Sequence, residues 1–352
     1  MLLEGIFPAV TTPFYPDGRL YIRKLGRNIE RYSQIPVAGL VLLGSTGEAV
    51  MLSDEESRVV LRVASETAAA EKVLIAGVAR ESLIETLRLT EFAADQRYDA
   101  VLVRTPHYYG AQMGHVEMLT YYRTLADQSP LPVVLYSIPK FTHYQVPVSV
   151  IAELAQHPNI IGLKDSSGSV ERIAEIVDVT RNARRREFAV TEVSGAFTNR
   201  MVNATAPTPE NSVPPEVLDR ETAIAVAPPS NEAKAVHKKQ VGFQVLCGSA
   251  HTLLDSLESG ASGGVLALAA CAPQTCQEIY EAWKESDTML ARDKQQQLVE
   301  ASTLVCGMLG IPAIKHACDL NGYYGGNPRI PLLPLDAERQ AEVARAMADL
   351  RN

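Results

Sequence analysis

Several features that would point to other protein classes are missing from this 352-residue chain. It has no basic surplus, since its formal net charge is −8, whereas a nucleic-acid-binding protein usually carries a basic face. Its five cysteines show no CxxC pair and its seven histidines no HExxH spacing, so we predict neither disulfides nor a metal site. No apolar run is long enough to cross a bilayer. We therefore expect no nucleic-acid or membrane partner and a cytoplasmic location, or a mitochondrial one if a leader is missing.

The composition, with 46% hydrophobic and 21% charged residues, is that of a globular protein. Short β-branched runs alternate with longer stretches of helical period, a pattern that predicts parallel strands joined by crossover helices. Eight strands are the number that a (β/α)₈ TIM barrel needs, which places the protein in the α/β class. The candidate strands are Ile6 to Thr11, Gly39 to Leu43, Val73 to Val78, Ala100 to Arg104, Val133 to Tyr136, Ile160 to Lys164, Phe243 to Cys247 and Gly264 to Leu268.

The predicted starts of two helices agree with these strand positions. Ser53 with Glu56, and Ser82 with Glu85, have the spacing of capping boxes, and each pair directly follows a predicted strand. The sequence after the last strand predicts extra helices, interrupted at Gly310-Ile-Pro312. We expect a barrel over residues 1–270 and a C-terminal helical region over residues 271–352 that packs on it.

One connection is too long for a barrel. About sixty residues separate the helix ending near Thr180 from the strand at Phe243, where a handful is usual. The middle of this stretch, Ala204 to Glu232, is rich in proline and small polar residues, which predicts a flexible, disordered insertion at about 182–241 before strand 7. Glu187 to Phe197 is a second candidate for strand 7, but Phe243 is favoured because Gly248 then begins a loop at the catalytic face.

A lysine at the end of an apolar strand is the feature that most needs a chemical explanation. Ile160-Ile-Gly-Leu-Lys164 places one there, and lysine is rarely buried without a purpose. Burial disfavours the charged ammonium and leaves a neutral amine that can attack a ketone. The alternative is a structural ion pair between Lys164 and a neighbouring carboxylate.

Two more elements lie at the same face. Gly44-Ser45-Thr46-Gly-Glu48 follows the second strand, and its backbone N–H groups and hydroxyls suit a carboxylate or a phosphate, although an ordinary glycine turn has the same composition. Tyr136 ends the fifth strand and is either a proton shuttle or a packing residue. Tyr108 and Tyr109, after the fourth strand, carry the same ambiguity.

Together these motifs resemble the dihydrodipicolinate synthase and N-acetylneuraminate lyase family of pyruvate-dependent aldolases. GLVLLGSTGEAVMLSDEE (Gly39 to Glu56) is similar to one family signature and YSIPKFTHYQVPVSVIAELAQHPNIIGLKDSSG (Tyr136 to Gly168) to the other. The narrower likeness is to 4-hydroxy-2-oxoglutarate aldolases and fungal 3-deoxy-hexulosonate aldolases, through FQVLCGSA (Phe243 to Ala250) and GYYGG (Gly322 to Gly326) among others. Dihydrodipicolinate synthases usually carry an arginine where this chain has Phe141.

The resemblance implies a role for each matching residue. Lys164 would form an imine with the substrate and Tyr136 would shuttle protons, while Ser45 and Thr46 would bind the carboxylate of pyruvate. Tyr108 would complete the proton relay across a tight dimer interface, within a homotetramer built as a dimer of dimers. Ser166 and the Gly248 loop would meet the far end of the substrate.

The expected activity is that of a class I aldolase, a carbon–carbon lyase that cleaves a 4-hydroxy-2-oxo acid to pyruvate and an aldehyde. The 2-oxo acid would be 4-hydroxy-2-oxoglutarate or a 2-keto-3-deoxy sugar acid. No cofactor is expected, because the lysine supplies the electrophile. The alternatives are a dihydrodipicolinate synthase, a keto-deoxy sugar acid dehydratase, and a non-catalytic pyruvate-binding protein whose insertion has disturbed the barrel.

Overall fold

The computed structural model describes residues 3–190, 197–204 and 237–350. Its strands are β1 Gly5–Pro8, β2 Gly39–Leu42, β3 Val73–Gly77, β4 Ala100–Arg104, β5 Val133–Ser137, β6 Ile160–Asp165, β7 Arg186–Val190, β8 His237–Val241, β9 Gln244–Cys247 and β10 Gly263–Leu266. Its helices are α1 Ile22–Ser33, α2 Asp54–Thr67, α3 Leu83–Asp95, α4 His115–Gln128, α5 Pro139–Thr142, α6 Val148–Leu154, α7 Val170–Thr180, α8 Asn199–Ala204, α9 Leu253–Glu258, α10 Pro273–Lys284, α11 Thr288–Ala301, α12 Ile311–Leu320 and α13 Ala337–Ala346.

Eight of the strands form one parallel sheet, in the order β1-β10-β9-β6-β5-β4-β3-β2. Ala9 bridges Val41 in parallel, and the Val10 amide donates to the Val41 carbonyl over 3.0 Å, so the first and second strands meet and the barrel closes. The predicted (β/α)₈ fold is confirmed. The seventh barrel strand is β9, so the preference for Phe243 onward over Glu187 to Phe197 was right.

The barrel has two apolar layers. One lies inside the sheet and includes Phe7, Val41 and Leu102, and the other lies between the strands and the surrounding helices. Buried residues on both sides explain why the strands read as continuous apolar runs rather than as alternating patterns. The described part of the chain contains no helix with the length and apolar character that a membrane span requires.

The competing strand has a different place. β7 pairs with β8 as an antiparallel ribbon outside the barrel sheet. Phe188 and Val241 from this ribbon pack against the inner apolar layer, and Lys239 forms a 2.6 Å ion pair with Glu4, next to the start of β1. The ends of the predicted insertion therefore form regular structure at the N-terminal end of the barrel.

A short segment inside the insertion also contacts the barrel. Arg200 donates to the Ala68 carbonyl over 2.8 Å, and the Asn199 amide donates to the buried Asp99 carboxylate over 2.7 Å. Residues 191–196 and 205–236, which hold most of the proline-rich sequence, lie outside the described residues. That the insertion is flexible therefore stays a prediction.

One of the two predicted capping boxes is confirmed. The Ser53 hydroxyl accepts from the Glu56 amide, and the Glu56 carboxylate accepts from the Ser53 amide. The second was wrong: Ser82 makes no side-chain cap, and the Glu85 carboxylate pairs with Arg88 at 2.6 Å instead of reaching back to the Ser82 amide.

The C-terminal region consists of helices, as predicted. α11 continues directly into a π-helix, Ser302–Leu309, which ends at Gly310 with a φ of 70°. Only a residue that tolerates positive φ fits there, and Pro312 then occupies the first turn of α12. The break predicted at Gly310-Ile-Pro312 thus turns the chain back over the carboxyl ends of the barrel strands.

Candidate active site

The centre of the site is formed by two neighbouring strands. Tyr136 in β5 and Lys164 in β6 are direct register partners, so their side chains point to the same side of the sheet, into the barrel. The Lys164 Nζ donates to the Tyr136 hydroxyl over 3.2 Å and lies 4.3 Å from the centre of its ring. Both side chains are buried, with 5% and 4% of their surface exposed. The amine and the phenol predicted from sequence are therefore in direct contact.

Lys164 has no carboxylate within 4.0 Å in the described part of the chain. The nearest candidate along the sequence, Asp165, pairs with Arg172 at 2.9 Å and also accepts from the Ser167 amide. A structural ion pair, the alternative interpretation of Lys164, is thus absent among these residues. A buried amine whose one partner is a phenol is suited to nucleophilic attack rather than to bridging secondary structures.

A cavity of about 450 Å³ opens above these two residues. Ser45 and Thr46 lie in its wall, and neither hydroxyl is hydrogen-bonded within the described structure, so both are available to a ligand. Ser166 and Gly248 line the same cavity. The cavity wall also includes Lys140, Phe141, His251, Thr303 and Cys306.

Gly248 fits its place for a steric reason. Its amide donates to the Asp165 carbonyl over 2.7 Å, which brings the two loops together after β6 and β9. A Cβ at this position would lie 2.0 Å from the Ser166 hydroxyl and 2.7 Å from the Asp165 carbonyl oxygen. Glycine therefore allows the Ser166 side chain to share the cavity wall with Lys164.

The structure does not bring Tyr108 to this cavity. Its side chain is 77% exposed and stacks edge-on against Tyr109, on a loop whose amides at His107 and Tyr108 donate to the Glu81 carboxylate. A catalytic role for Tyr108 in the site of a partner subunit stays a prediction.

The Ser45-Thr46 turn is fixed from the C-terminal region, which sequence reasoning did not anticipate. Glu48 has a φ of 54°, and its carboxylate accepts from the Lys315 amine over 2.6 Å and from the Arg329 amide over 2.8 Å. Lys315 also donates to the Thr12 carbonyl over 2.9 Å. Burial lowers the pKa of the Lys315 ammonium, and the adjacent Glu48 carboxylate opposes that shift. The Ser45-Thr46 turn is thus held by a fully buried ion pair.

The sequence also did not predict the part of the cavity wall that comes from the π-helix. The π-helix contributes Thr303 and Cys306, and Thr303 Oγ1 lies 3.2 Å from His251 Nδ1. Lys140 donates to the Gly307 carbonyl over 2.8 Å. Its position directly after Tyr136-Ser-Ile-Pro139 was the available signal, whereas nothing in the sequence indicates a π-helix.

The chain is similar to known proteins in sequence and in fold. The sequence matches the Dihydrodipicolinate synthetase family over residues 2–185 and 226–350. A 4-hydroxy-tetrahydrodipicolinate synthase from Methanothrix thermoacetophila is 26% identical over 352 residues, which cover 99% of this chain and 98% of that protein. A dihydrodipicolinate synthase structure from Bacillus anthracis superposes with a TM-score of 0.78 at 22% identity, covering all of both chains.

A third relative was solved with a ligand. A prophage protein of the dihydrodipicolinic acid synthase family from E. coli K12, in complex with pyruvate, has a TM-score of 0.76 at 24% identity and covers 99% of each chain. The family match spans most of the sequence, on both sides of the insertion. The chain belongs to the dihydrodipicolinate synthetase family.

Proposed function

We propose that the protein is a pyruvate-dependent class I aldolase in which Lys164 forms the imine. The observation that carries this proposal is the buried contact of 3.2 Å between the Lys164 amine and the Tyr136 hydroxyl at the base of an open cavity. An amine attacks a ketone only in its neutral form, and a phenol in contact with it can accept and return the protons of the reaction.

The cleavage reaction would proceed in four steps. The Lys164 amine attacks the C2 carbonyl of a 4-hydroxy-2-oxo acid, and Tyr136 donates a proton to the hydroxyl that leaves as water, which gives a protonated imine and a Tyr136 phenolate. Tyr136 takes the proton of the C4 hydroxyl, the C3–C4 bond breaks with its electrons moving into the imine, and an aldehyde departs. The resulting enamine is protonated at C3. Water then hydrolyses the imine, releasing pyruvate and restoring the lysine.

Ser45 and Thr46 would bind the carboxylate next to the ketone. Their hydroxyls have no partner in the described structure, and the Lys315–Glu48 ion pair fixes the turn that carries them. A pre-organised donor pair of this kind orients the ketone toward the lysine without further ordering of the chain.

Two candidate reactions, synthesis and cleavage, each have specific support. Curated relatives such as the one from Methanothrix thermoacetophila carry the name 4-hydroxy-tetrahydrodipicolinate synthase, which favours the synthetic direction. Phe141, 48% exposed in the cavity wall where the family's synthases usually carry an arginine, favours cleavage of 4-hydroxy-2-oxoglutarate or a related acid. The names of the relatives give the synthase at least equal weight, and the narrower likeness to 4-hydroxy-2-oxoglutarate aldolases stays a prediction.

The remaining alternatives have less support. A non-catalytic protein is the alternative in which the insertion disrupts the seventh barrel strand. In the structure β9 pairs with both β6 and β10, which argues against this alternative. A dehydratase would use the same imine, and no feature of the cavity favours it over bond cleavage.

Borohydride trapping with pyruvate, followed by peptide mapping, tests the imine directly. The expected result is a reduced adduct on Lys164 in the wild type and none in Lys164→Met. An absent adduct in folded wild-type protein would contradict the proposal.

Product analysis then separates the two reactions. Removing the three carbons of pyruvate from 4-hydroxy-tetrahydrodipicolinate leaves a four-carbon amino acid aldehyde, aspartate semialdehyde, as the second substrate of a synthase. Condensation with that aldehyde identifies a synthase, whereas release of glyoxylate from 4-hydroxy-2-oxoglutarate identifies a cleavage aldolase.

A further inference from the structure

The charge of the cavity differs from that of the whole chain. The protein has 41 acidic and 33 basic residues, yet Lys140, Lys164 and His251 line the cavity and no aspartate or glutamate does so among the described residues. Two of these basic groups have no part in binding a simple 2-oxo acid at Ser45 and Thr46. An acid-free wall with surplus basic groups favours a ligand that carries more than one negative charge.

Lys140 is the basic residue best placed to meet a second charge. It lies in the short helix α5, directly after the strand that carries Tyr136, and its side chain is exposed at the cavity wall. Its ammonium has no carboxylate within 4.0 Å in the parts of the chain that the structure covers, and its partners are the carbonyls of Gly307, at 2.8 Å, and Cys306, at 3.5 Å. An ammonium has three donors, so capacity for a ligand oxygen is left.

The contact with Gly307 also admits a structural explanation. In a π-helix the Gly307 carbonyl would accept from the residue five positions later, which is Pro312 and has no N–H. Lys140 therefore satisfies a carbonyl that the backbone leaves open. A purely structural cap needs a donor but no positive charge, and this difference separates the two roles experimentally.

We propose that Lys140 holds the far end of the substrate and selects 2-oxo acids that carry a second carboxylate. The inference rests on the proposed function, because it takes the first carboxylate to lie at Ser45 and Thr46 and the ketone at Lys164. It assigns to Lys140 the second-carboxylate role that an arginine at the position of Phe141 would otherwise fill. It also favours diacids, such as 4-hydroxy-2-oxoglutarate, over sugar acids whose far end is neutral.

The test uses two matched ligands, 2-oxoglutarate and 2-oxopentanoate, which have the same chain length and differ only in the distal carboxylate. Binding is measured by calorimetry and by the concentration dependence of borohydride trapping. The variants are Lys140→Met, Lys140→Gln, which keeps a donor without charge, and Lys140→Arg, which keeps the charge. Lys284→Met, on the exposed face of α10, is the control for loss of a surface lysine.

In the wild type we expect 2-oxoglutarate to bind about 10–100 times more tightly than 2-oxopentanoate, the range for a hydrogen bond to a charged group. Lys140→Met and Lys140→Gln should remove this preference and leave 2-oxopentanoate unchanged, whereas Lys140→Arg and Lys284→Met should keep it. Equal binding of the two acids to the wild type, or an equal loss of both in Lys140→Met, overturns the inference. Pyruvate trapping on Lys164 reports separately on the proposed function, and calorimetry measures the role of Lys140 even where no imine forms.

Discussion

Lys164 and Lys315 are both buried, and their surroundings differ. Lys164 is 5% exposed, contacts the Tyr136 hydroxyl, and has no carboxylate within 4.0 Å in the described structure. Lys315 is fully buried and donates to the Glu48 carboxylate and to the carbonyls of Thr12 and Asn327. Burial alone therefore does not identify a reactive lysine.

The partners decide what each lysine can do. An ammonium that is bonded to a carboxylate and two carbonyls stays in its site as a structural cation, and all three of its donors are used. An amine that contacts a phenol and has no carboxylate beside it in the described structure is placed to attack a ketone. Under the proposed function, Lys315 would fix the Ser45-Thr46 turn and Lys164 would react with the substrate.

Lys164→Met tests the first half of this comparison, because it should abolish activity and leave stability nearly unchanged. We expect kcat/KM to fall on the order of 10⁴-fold or more, because the imine cannot form. The melting temperature should stay within a few degrees of the wild type, since no carboxylate loses its partner. Steady-state kinetics and thermal unfolding measure the two effects, and a collapse of stability would show that Lys164 has a structural role after all.

Lys315→Met should act on stability first. It leaves Glu48 buried without a counter-charge, which costs about 3–5 kcal/mol of unfolding free energy. Chemical denaturation measures this loss.

The double variant Lys315→Met with Glu48→Leu is the matched control, because it removes both charges and should recover most of the stability. Its KM for the 2-oxo acid should still be raised, since the Ser45-Thr46 turn has lost its anchor. If the single and double variants are equally stable, an unpaired Glu48 charge is not what destabilises Lys315→Met, and an unchanged KM in both would mean that the ion pair does not hold the turn.

The position of Lys164 could be predicted from the sequence, whereas the contact of Lys315 with Glu48 could not. Lys164, Tyr136, Ser45 and Gly248 could be placed together because the carboxyl ends of parallel strands meet at one face of a barrel. Lys315 and Glu48 are 267 positions apart, and no local pattern predicts that a helix beyond the barrel meets the second strand's turn.

The other errors have local causes. In the second predicted capping box the Glu85 carboxylate has a competing partner, Arg88, that a spacing rule ignores. The π-helix after α11 has the composition of an ordinary helix, so Thr303 could not be assigned to the cavity wall. The eight strands were easier, since buried parallel strands have nearly continuous apolar sequences.

Tyr136→Phe tests the reactive side further, because it removes the one hydrogen-bond partner that Lys164 has among the described residues. We expect kcat to fall about 10²–10⁴-fold, the range for loss of a general acid–base group. The pyruvate adduct on Lys164 should still form under prolonged borohydride trapping. Stability should fall by no more than about 1.5 kcal/mol, the contribution of one hydrogen bond. An unchanged kcat would mean that Tyr136 only packs against the lysine.

The smallest effect is expected at Arg329–Glu56, which like Lys315–Glu48 links the C-terminal region to the barrel. Arg329 binds both oxygens of Glu56 at 2.7 Å, and these hydrogen bonds from Arg329 lower the pKa of the Glu56 carboxyl. Since the folded-state pKa lies below the unfolded value, the pair stabilises the protein above the ordinary glutamate pKa, and this contribution is lost as the pH falls through the lowered value. Glu56→Gln should thus lower the melting temperature by a few degrees at pH 7 and by progressively less on acidification. Glu91→Gln, at an exposed position of α3 with no ion pair among the described residues, is the control. If the lowered melting temperature of Glu56→Gln did not recover at acid pH, hydrogen-bond geometry rather than charge would make the Arg329–Glu56 pair stabilising. The contrast between Lys164 and Lys315 would then have to rest on hydrogen bonds alone.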